Sequence, residues 1–121
     1  MAFDVDERFI AAAEDALGCS LPNALKARLS VNNGGETLIE NEYWQLFPVK
    51  DTSSTKRLSR TFNDIIRETT SARKWPHFPS NAIAVASSGS GDLLMIFPQS
   101  EEFFEWDHET GRTKLTQVKF S

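Results

Sequence analysis

Apolar residues recur at helical spacing from Asp6 onward: Phe9, Ile10, Ala13, Ala16 and Leu17 share one stripe, and Gly18 follows as a left-handed stop. The pattern predicts a helix of about three turns. Leu21 precedes Pro22, and Leu25 and Leu29 fall one turn apart, which predicts a second short helix opening near the proline and ending at "NNGG". "TLIENEYWQLFPV" then sets β-formers among polar residues, with Tyr43, Gln45 and Phe47 on one side and Trp44, Leu46 and Pro48 on the other. A strand is predicted over residues 43–47. Beyond the polar loop "DTSSTK", Leu58, Phe62, Ile65, Ile66 and Thr69 trace one helical stripe up to Arg73, with Arg60, Asn63, Asp64, Arg67 and Glu68 on its outer side.

"WPHFPS" cannot continue that helix, because its two prolines remove backbone donors and push their predecessors into extended conformations. It reads as an ordered connector pinned by Trp75 and Phe78. "AIAVA", "DLLMIF", "FFEWD" and "KLTQVKF" read as four strands separated by turns at "SSGSG", "PQSEE" and "HETGR". Short connections favour an antiparallel meander. Helices segregated from strands indicate an α+β fold, with helices packed on one face of a mainly antiparallel sheet. No repeat and no long linker divides the chain, so residues 1–121 are expected to form one domain.

Composition agrees with a folded core: 40% of residues are hydrophobic, and nine Phe and three Trp make that core rich in rings. The single cysteine, Cys19, has no second thiol to pair with, which suits a reducing compartment. The acidic start "MAFDVDERF" lacks the positive charge of a secretory signal, and no apolar run approaches a membrane span. A soluble cytoplasmic protein is therefore expected.

The formal net charge of −4 argues against a sequence-independent grip on nucleic acid, which rests on phosphate neutralisation by Lys and Arg. A basic protein partner suits it better. Charge is also segregated. Residues 56–74 hold Lys56, Arg57, Arg60, Arg67, Arg73 and Lys74 against Asp64 and Glu68, whereas "EEFFEWDHE" carries Glu101, Glu102, Glu105, Asp107 and Glu109 with no Lys or Arg. Those five carboxylates, interleaved with Phe103, Phe104 and Trp106, are the candidate surface for steering and capturing a basic partner. Solvated charge protecting a sheet edge would look the same in sequence.

Enzymatic chemistry finds little support. "SSGSGDLLMIF" (residues 87–97) lacks the lysine of a phosphate loop, the third glycine of a dinucleotide fingerprint and a following helix. Gly89 and Gly91 fit a tight β-turn instead. His77, His108 and Cys19 have no paired-ligand spacing, so no metal and no cofactor are expected. Asp107, His108 and Glu109 are strand neighbours that point apart unless a turn curls them. A triad from a serine, His108 and Asp92 or Asp107 can be drawn on paper, but a triad is a matter of geometry that spacing alone does not supply. No catalytic residue is assigned.

In order along the chain, "LGCSLP" with Gly18 and Pro22, "NNGG" with Asn33, Gly34 and Gly35, "YWQLFPV" with Trp44, "HFP", "SGSGD" with Gly89, Gly91 and Asp92, and "WDHETG" with Trp106 resemble the SUKH superfamily. This group contains bacterial immunity proteins and a fungal regulator of cell-wall synthesis. The resemblance runs from about Leu17 to Gly111 and implies helices around a central sheet. It places Asn33, Gly34 and Gly35 after the second helix, Trp44, Leu46 and Pro48 on the next strand, and Gly89, Gly91 and Asp92 in a turn joining strands. It implies no catalytic residue. It also implies a protein-binding scaffold that often neutralises a toxin, many such toxins being nucleases. Members often carry a further C-terminal helix, whose lack after "TQVKFS" would leave one sheet face more open. Three functions follow as expectations: an immunity protein against a basic toxin, a regulatory or scaffolding module in cell-wall synthesis or signalling, and a small-ligand binder using a pocket of Trp44, Asp92 and His108.

Overall fold

A computed structural model describes residues 3–120. The elements run α1 (Glu7–Leu17), α2 (Asn23–Val31), β1 (Gly35–Ile39), β2 (Glu42–Leu46), α3 (Thr55–Arg60), α4 (Ile65–Ala72), β3 (Ile83–Ser87), β4 (Leu93–Ile96), β5 (Phe103–Trp106) and β6 (Thr113–Thr116). The six strands form one sheet in the order β1-β2-β3-β4-β5-β6, antiparallel throughout. The α+β meander expected from the pattern is the fold. Lys114 of β6 reaches Glu40 at the β1–β2 turn, 3.6 Å away. Five strand spacings would separate a flat sheet's edges by about 24 Å, so the sheet is strongly curled.

The first two helices form as their sequences dictate. Asp6 caps α1 by accepting from Arg8 N at 3.0 Å, Gly18 closes it in the left-handed region, and Ile10 and Ala13 turn inward. Leu25 and Leu29 are the buried residues of α2.

Two expectations are corrected. The single helical stripe from Leu58 to Arg73 is two helices. Thr61 is buried, donates its hydroxyl proton to Arg57 O at 2.9 Å and accepts from Asp51 N at 3.0 Å, which ends α3. Asp64 then caps α4 by accepting from Arg67 N at 2.9 Å. The break turns Leu58 and Phe62 outward, Phe62 to 65% exposure, while Ile65, Thr69 and Ala72 stay buried. The second correction is β1, a strand that the pattern had not marked. Glu40 and Asn41 both take positive φ, 49° and 69°, the signature of a two-residue hairpin turn usually written Asn-Gly or Asp-Gly. Phe47 has left the strand and is buried against its expected alternation, because β2 ends at Leu46.

The connector of Trp75 and Phe78 is ordered through Phe78, which is buried edge-on to Trp106 at 5.2 Å; Trp75 itself is half exposed. Toward the C-terminus, Val118 and Phe120 pack on the core, Phe120 edge-on to Phe103 at 5.5 Å.

The ladder between β2 and β3 is short: only Gln45 pairs Ser87 and Leu46 pairs Ala86, followed by Phe47 N donating to Val85 O at 2.9 Å. Side chains complete what the ladder leaves. Asn33 donates through Nδ2 to Val49 O and accepts at Oδ1 from Val49 N, both at 2.8 Å, so its amide stands in for a paired backbone. Thr69 accepts at Oγ1 from Ala84 N at 3.0 Å and donates to Ala84 O at 3.5 Å. Ile65 N donates to Pro48 O at 2.8 Å. Each of these groups is buried, where an unmet backbone donor costs about 1–3 kcal/mol. Asn33→Ala is expected to lower stability by about 3 kcal/mol, since it strands both polar groups of Val49. Urea denaturation monitored by tryptophan fluorescence measures this.

Candidate functional site

Strand β5 carries the acidic stretch. Phe103 and Trp106 are its buried ends, and by strand alternation they face opposite sides, so both faces of β5 are covered. Trp106 donates its indole N–H to His77 O at 3.3 Å, and Phe104 meets Phe97 edge-on at 5.3 Å. The rings anchor the strand as expected; the carboxylates do not form one row. Glu101 and Glu102 precede a four-residue strand that rises about 13 Å, and Asp107 and Glu109 follow it. Glu105 lies between them, half-buried, accepting from Thr116 Oγ1 at 2.7 Å.

Two more of the five have internal duties that sequence did not reveal. Pro22 has no side chain with which to cap α2, and Glu101 Oε1 accepts from Asn23 N at 2.8 Å from across the fold. Asp107 Oδ1 accepts from Glu109 N at 2.8 Å and Thr110 N at 3.2 Å, curling the chain into the β5–β6 turn. Glu102 and Glu109 are exposed.

That turn brings Asp107 and His108 together, which the alternation of a continued strand would have prevented: β5 ends at Trp106. Asp92, at the end of the β3–β4 turn, accepts at Oδ1 from both His108 N at 3.1 Å and His108 Nδ1 at 2.7 Å. The imidazole also lies edge-on to Trp75 at 6.2 Å. Gly91, with φ of 108°, is the residue the imidazole rests on; a Cβ there would stand 3.0 Å from the ring. The two turns are thus locked together. Ligand atoms of Asp92, Asp107 and His108 lie within 4.8 Å of one another, the donor types that hold a divalent cation, but Asp92 and His108 are engaged with each other. Trp44 is buried to 2% exposure on β2, so its ring forms no open wall of a pocket with Asp92 and His108.

The hydrogen bond to Asp92 holds the His108 imidazole above the usual histidine range; partial burial opposes this, and the charges of Asp92, Glu109 and Asp107 add to it.

A second feature joins segments remote in sequence. A concavity of about 150 Å³ lies among Phe3, Gly34, Gln45, Pro48, Arg57 and Arg60. Arg57 binds Asp4 at 3.1 Å and buried Asp51 at 3.3 Å, and its guanidinium lies 4.8 Å from the Phe3 ring centre. Burial pulls the Asp51 carboxyl upward, but hydrogen bonds from the Ser53 hydroxyl and amide and from Arg57 outweigh it and hold the group below its ordinary range. Part of the basic middle of the chain is therefore spent on the protein's own carboxylates and ring.

The sequence model of the SMI1 / KNR4 family (SUKH-1) matches residues 4–121. The chain belongs to this family. No curated protein matches it. The quoted motifs of this SUKH-1 domain fall at structural joints: Asn33 bridges to Val49, Gly34 sits against Pro48, Trp44 and Leu46 are buried, and Gly91 and Asp92 receive His108. Among the described residues no helix is long and apolar enough to cross a membrane.

The Asp92–His108 pair gives a pH signature. A histidine whose folded pKa is raised contributes stability that is fully present below its unfolded value, about 6.5, and is lost as pH rises through the higher folded value. Denaturant midpoints of the wild type are expected to fall across that window and those of His108→Gln to stay flatter; in Asp92→Asn, the NMR titration of His108 moves down. Gly91→Ala is expected to cost about 2 kcal/mol, because it combines a strained φ with contact against the imidazole.

Proposed function

We propose that this SUKH-1 domain is an immunity-type protein that binds a basic toxin domain and blocks it without catalysis of its own. The toxin class with the matching charge is a nuclease, whose substrate demands a cationic surface. The reading is supported most by the charge on exposed Glu102 and Glu109 at opposite ends of the ring-anchored strand β5, in a chain of net charge −4. Glu101, Glu102, Glu105, Asp107 and Glu109 form the steering surface in this reading, on and beside a strand whose Phe103 and Trp106 are buried. Fixed carboxylates of one sign raise the rate of encounter with a cationic partner and make that rate fall with salt.

The regulatory reading, a scaffold module of cell-wall synthesis or signalling, shares the family and the absence of catalysis. It predicts no adjacent toxin gene and no preference for basic partners.

The test begins with co-purification from the native cell and identification of any toxin encoded beside this chain. The purified pair is then mixed by stopped flow. Glu102→Lys with Glu109→Lys is expected to slow association about tenfold at low salt and to flatten its salt dependence. Association unchanged by this double reversal removes the steering surface, and a partner with no toxic activity removes the immunity reading.

A further inference from the structure

The apolar surface that the sheet leaves uncovered at its β1 edge is concentrated on the β1–β2 hairpin. Leu38 and Tyr43 are direct cross-strand partners, so their side chains lie side by side on one face. Thr37, Ile39, Trp44 and Leu46 occupy the opposite face and are buried. Leu38 is 40% exposed and Tyr43 68%. Glu36 and Gln45, the next pair in register on the outer face, are exposed beside them.

Charge on this hairpin has a single sign. Residues 32–49 contain Glu36, Glu40 and Glu42 and no Lys, Arg or His. Glu40 meets Lys114 from β6 at 3.6 Å, and Arg28 reaches the Glu36 main-chain carbonyl at 3.1 Å; among the described residues, neither the Glu36 nor the Glu42 carboxylate has an ion-pair partner. Another exposed apolar pair, Leu58 and Phe62, has the reverse setting. It lies beside Lys56 and Arg60, with the Arg67 guanidinium 5.8 Å from the Phe62 ring centre. A cationic partner is repelled there and attracted at the hairpin.

We propose that the outer face of the β1–β2 hairpin, centred on Tyr43 and Leu38, with Glu36 on the same face and Glu40 and Glu42 at its turn end, is a docking surface for a basic protein partner. The inference rests on the reading of this domain as a binder of basic proteins, and it moves the centre of contact from residues 101–109 to the hairpin. Tyrosine is suited to such a centre: it brings large contact area with few rotatable bonds and a hydroxyl at its tip. An arginine of the partner stacks on the Tyr43 ring and turns its fork to a rim carboxylate. Placement on paired strands fixes the spacing of ring, methyls and carboxylates before the partner arrives, which reduces the ordering cost of association.

The test uses the ¹⁵N-labelled full chain and a short synthetic peptide alternating arginine and leucine, titrated at low salt. Amide shifts are expected to centre on residues 36–45. Tyr43→Ser and Leu38→Ser, checked by circular dichroism for an unchanged fold, are expected to weaken binding about tenfold, and Glu7→Gln with Asp15→Asn, exposed on α1 and outside both acidic surfaces, to change it less than about twofold. Shifts centred on residues 101–109, or binding unaffected by Tyr43→Ser, overturn the hairpin surface while leaving a basic partner in place. A matched glutamate–leucine peptide that binds in preference overturns the partner chemistry itself. Shifts from neither peptide overturn the surface.

Discussion

The fold depends on satisfying the backbone where strands β2 and β3 part. Their ladder holds two register pairs, after which β2 runs into the segment that leads to α3 and α4. The main chain at Pro48 and Val49 is then inside the protein without a neighbouring strand, and Ala84, paired with Met95 of β4 on one side, has none on its β2 side. Buried peptide groups cannot remain unpaired at that depth. Asn33 supplies a side-chain amide to Val49, Thr69 supplies a hydroxyl to Ala84, and the first amide of α4 supplies a donor to Pro48. These bonds place α2, α4 and the sheet in one register relation. Apolar packing of Leu25, Leu29, Ile65 and Trp44 then has a fixed geometry to fill.

The same logic applies at the other end of the sheet, where the β3–β4 and β5–β6 turns meet. A two-bond contact from Asp92 to His108 joins them, and Gly91 leaves room for the imidazole. The residues that form the quoted motifs are thus occupied with backbone and with one another. A motif built of joints constrains architecture and leaves the exposed strand faces free to vary in side-chain chemistry. A scaffold held this way tolerates changes in exposed side chains outside the joints without loss of its architecture.

Much of this fold was legible in the sequence. Both N-terminal helices, five of six strands and the antiparallel meander follow from periodicity and from Gly and Pro placement. Strand β1 was hidden because its turn uses Glu40 where glycine or asparagine is the usual signal. The division of α3 from α4 was hidden because the apolar spacing of Leu58, Phe62 and Ile65 continues across it; the break comes from Thr61, whose hydroxyl serves Asp51 ten positions away. At the candidate site, the ring anchoring of β5 was legible, whereas the engagement of Glu101 with Asn23 was not. That contact spans 78 positions and meets a helix start that Pro22 leaves without a side-chain cap.

Segregation of charge along the chain becomes segregation in space through different amounts of self-pairing. Arg57 is tied to Asp4 and Asp51, and Phe3 lies within cation–ring distance of Lys56, Arg57 and Arg60. Part of the basic segment's charge is thereby answered locally. On the acidic side, Glu36, Glu42 and Glu102 are exposed, Lys114 answers only Glu40, and Glu109 has His108 Nε2 at 3.9 Å. The field felt at a distance is therefore more one-sided than the count of charges suggests, because paired charges cancel within a Debye length of about 8 Å and unpaired ones do not. A cationic partner approaching such a surface is turned toward the carboxylate-bearing strands before contact.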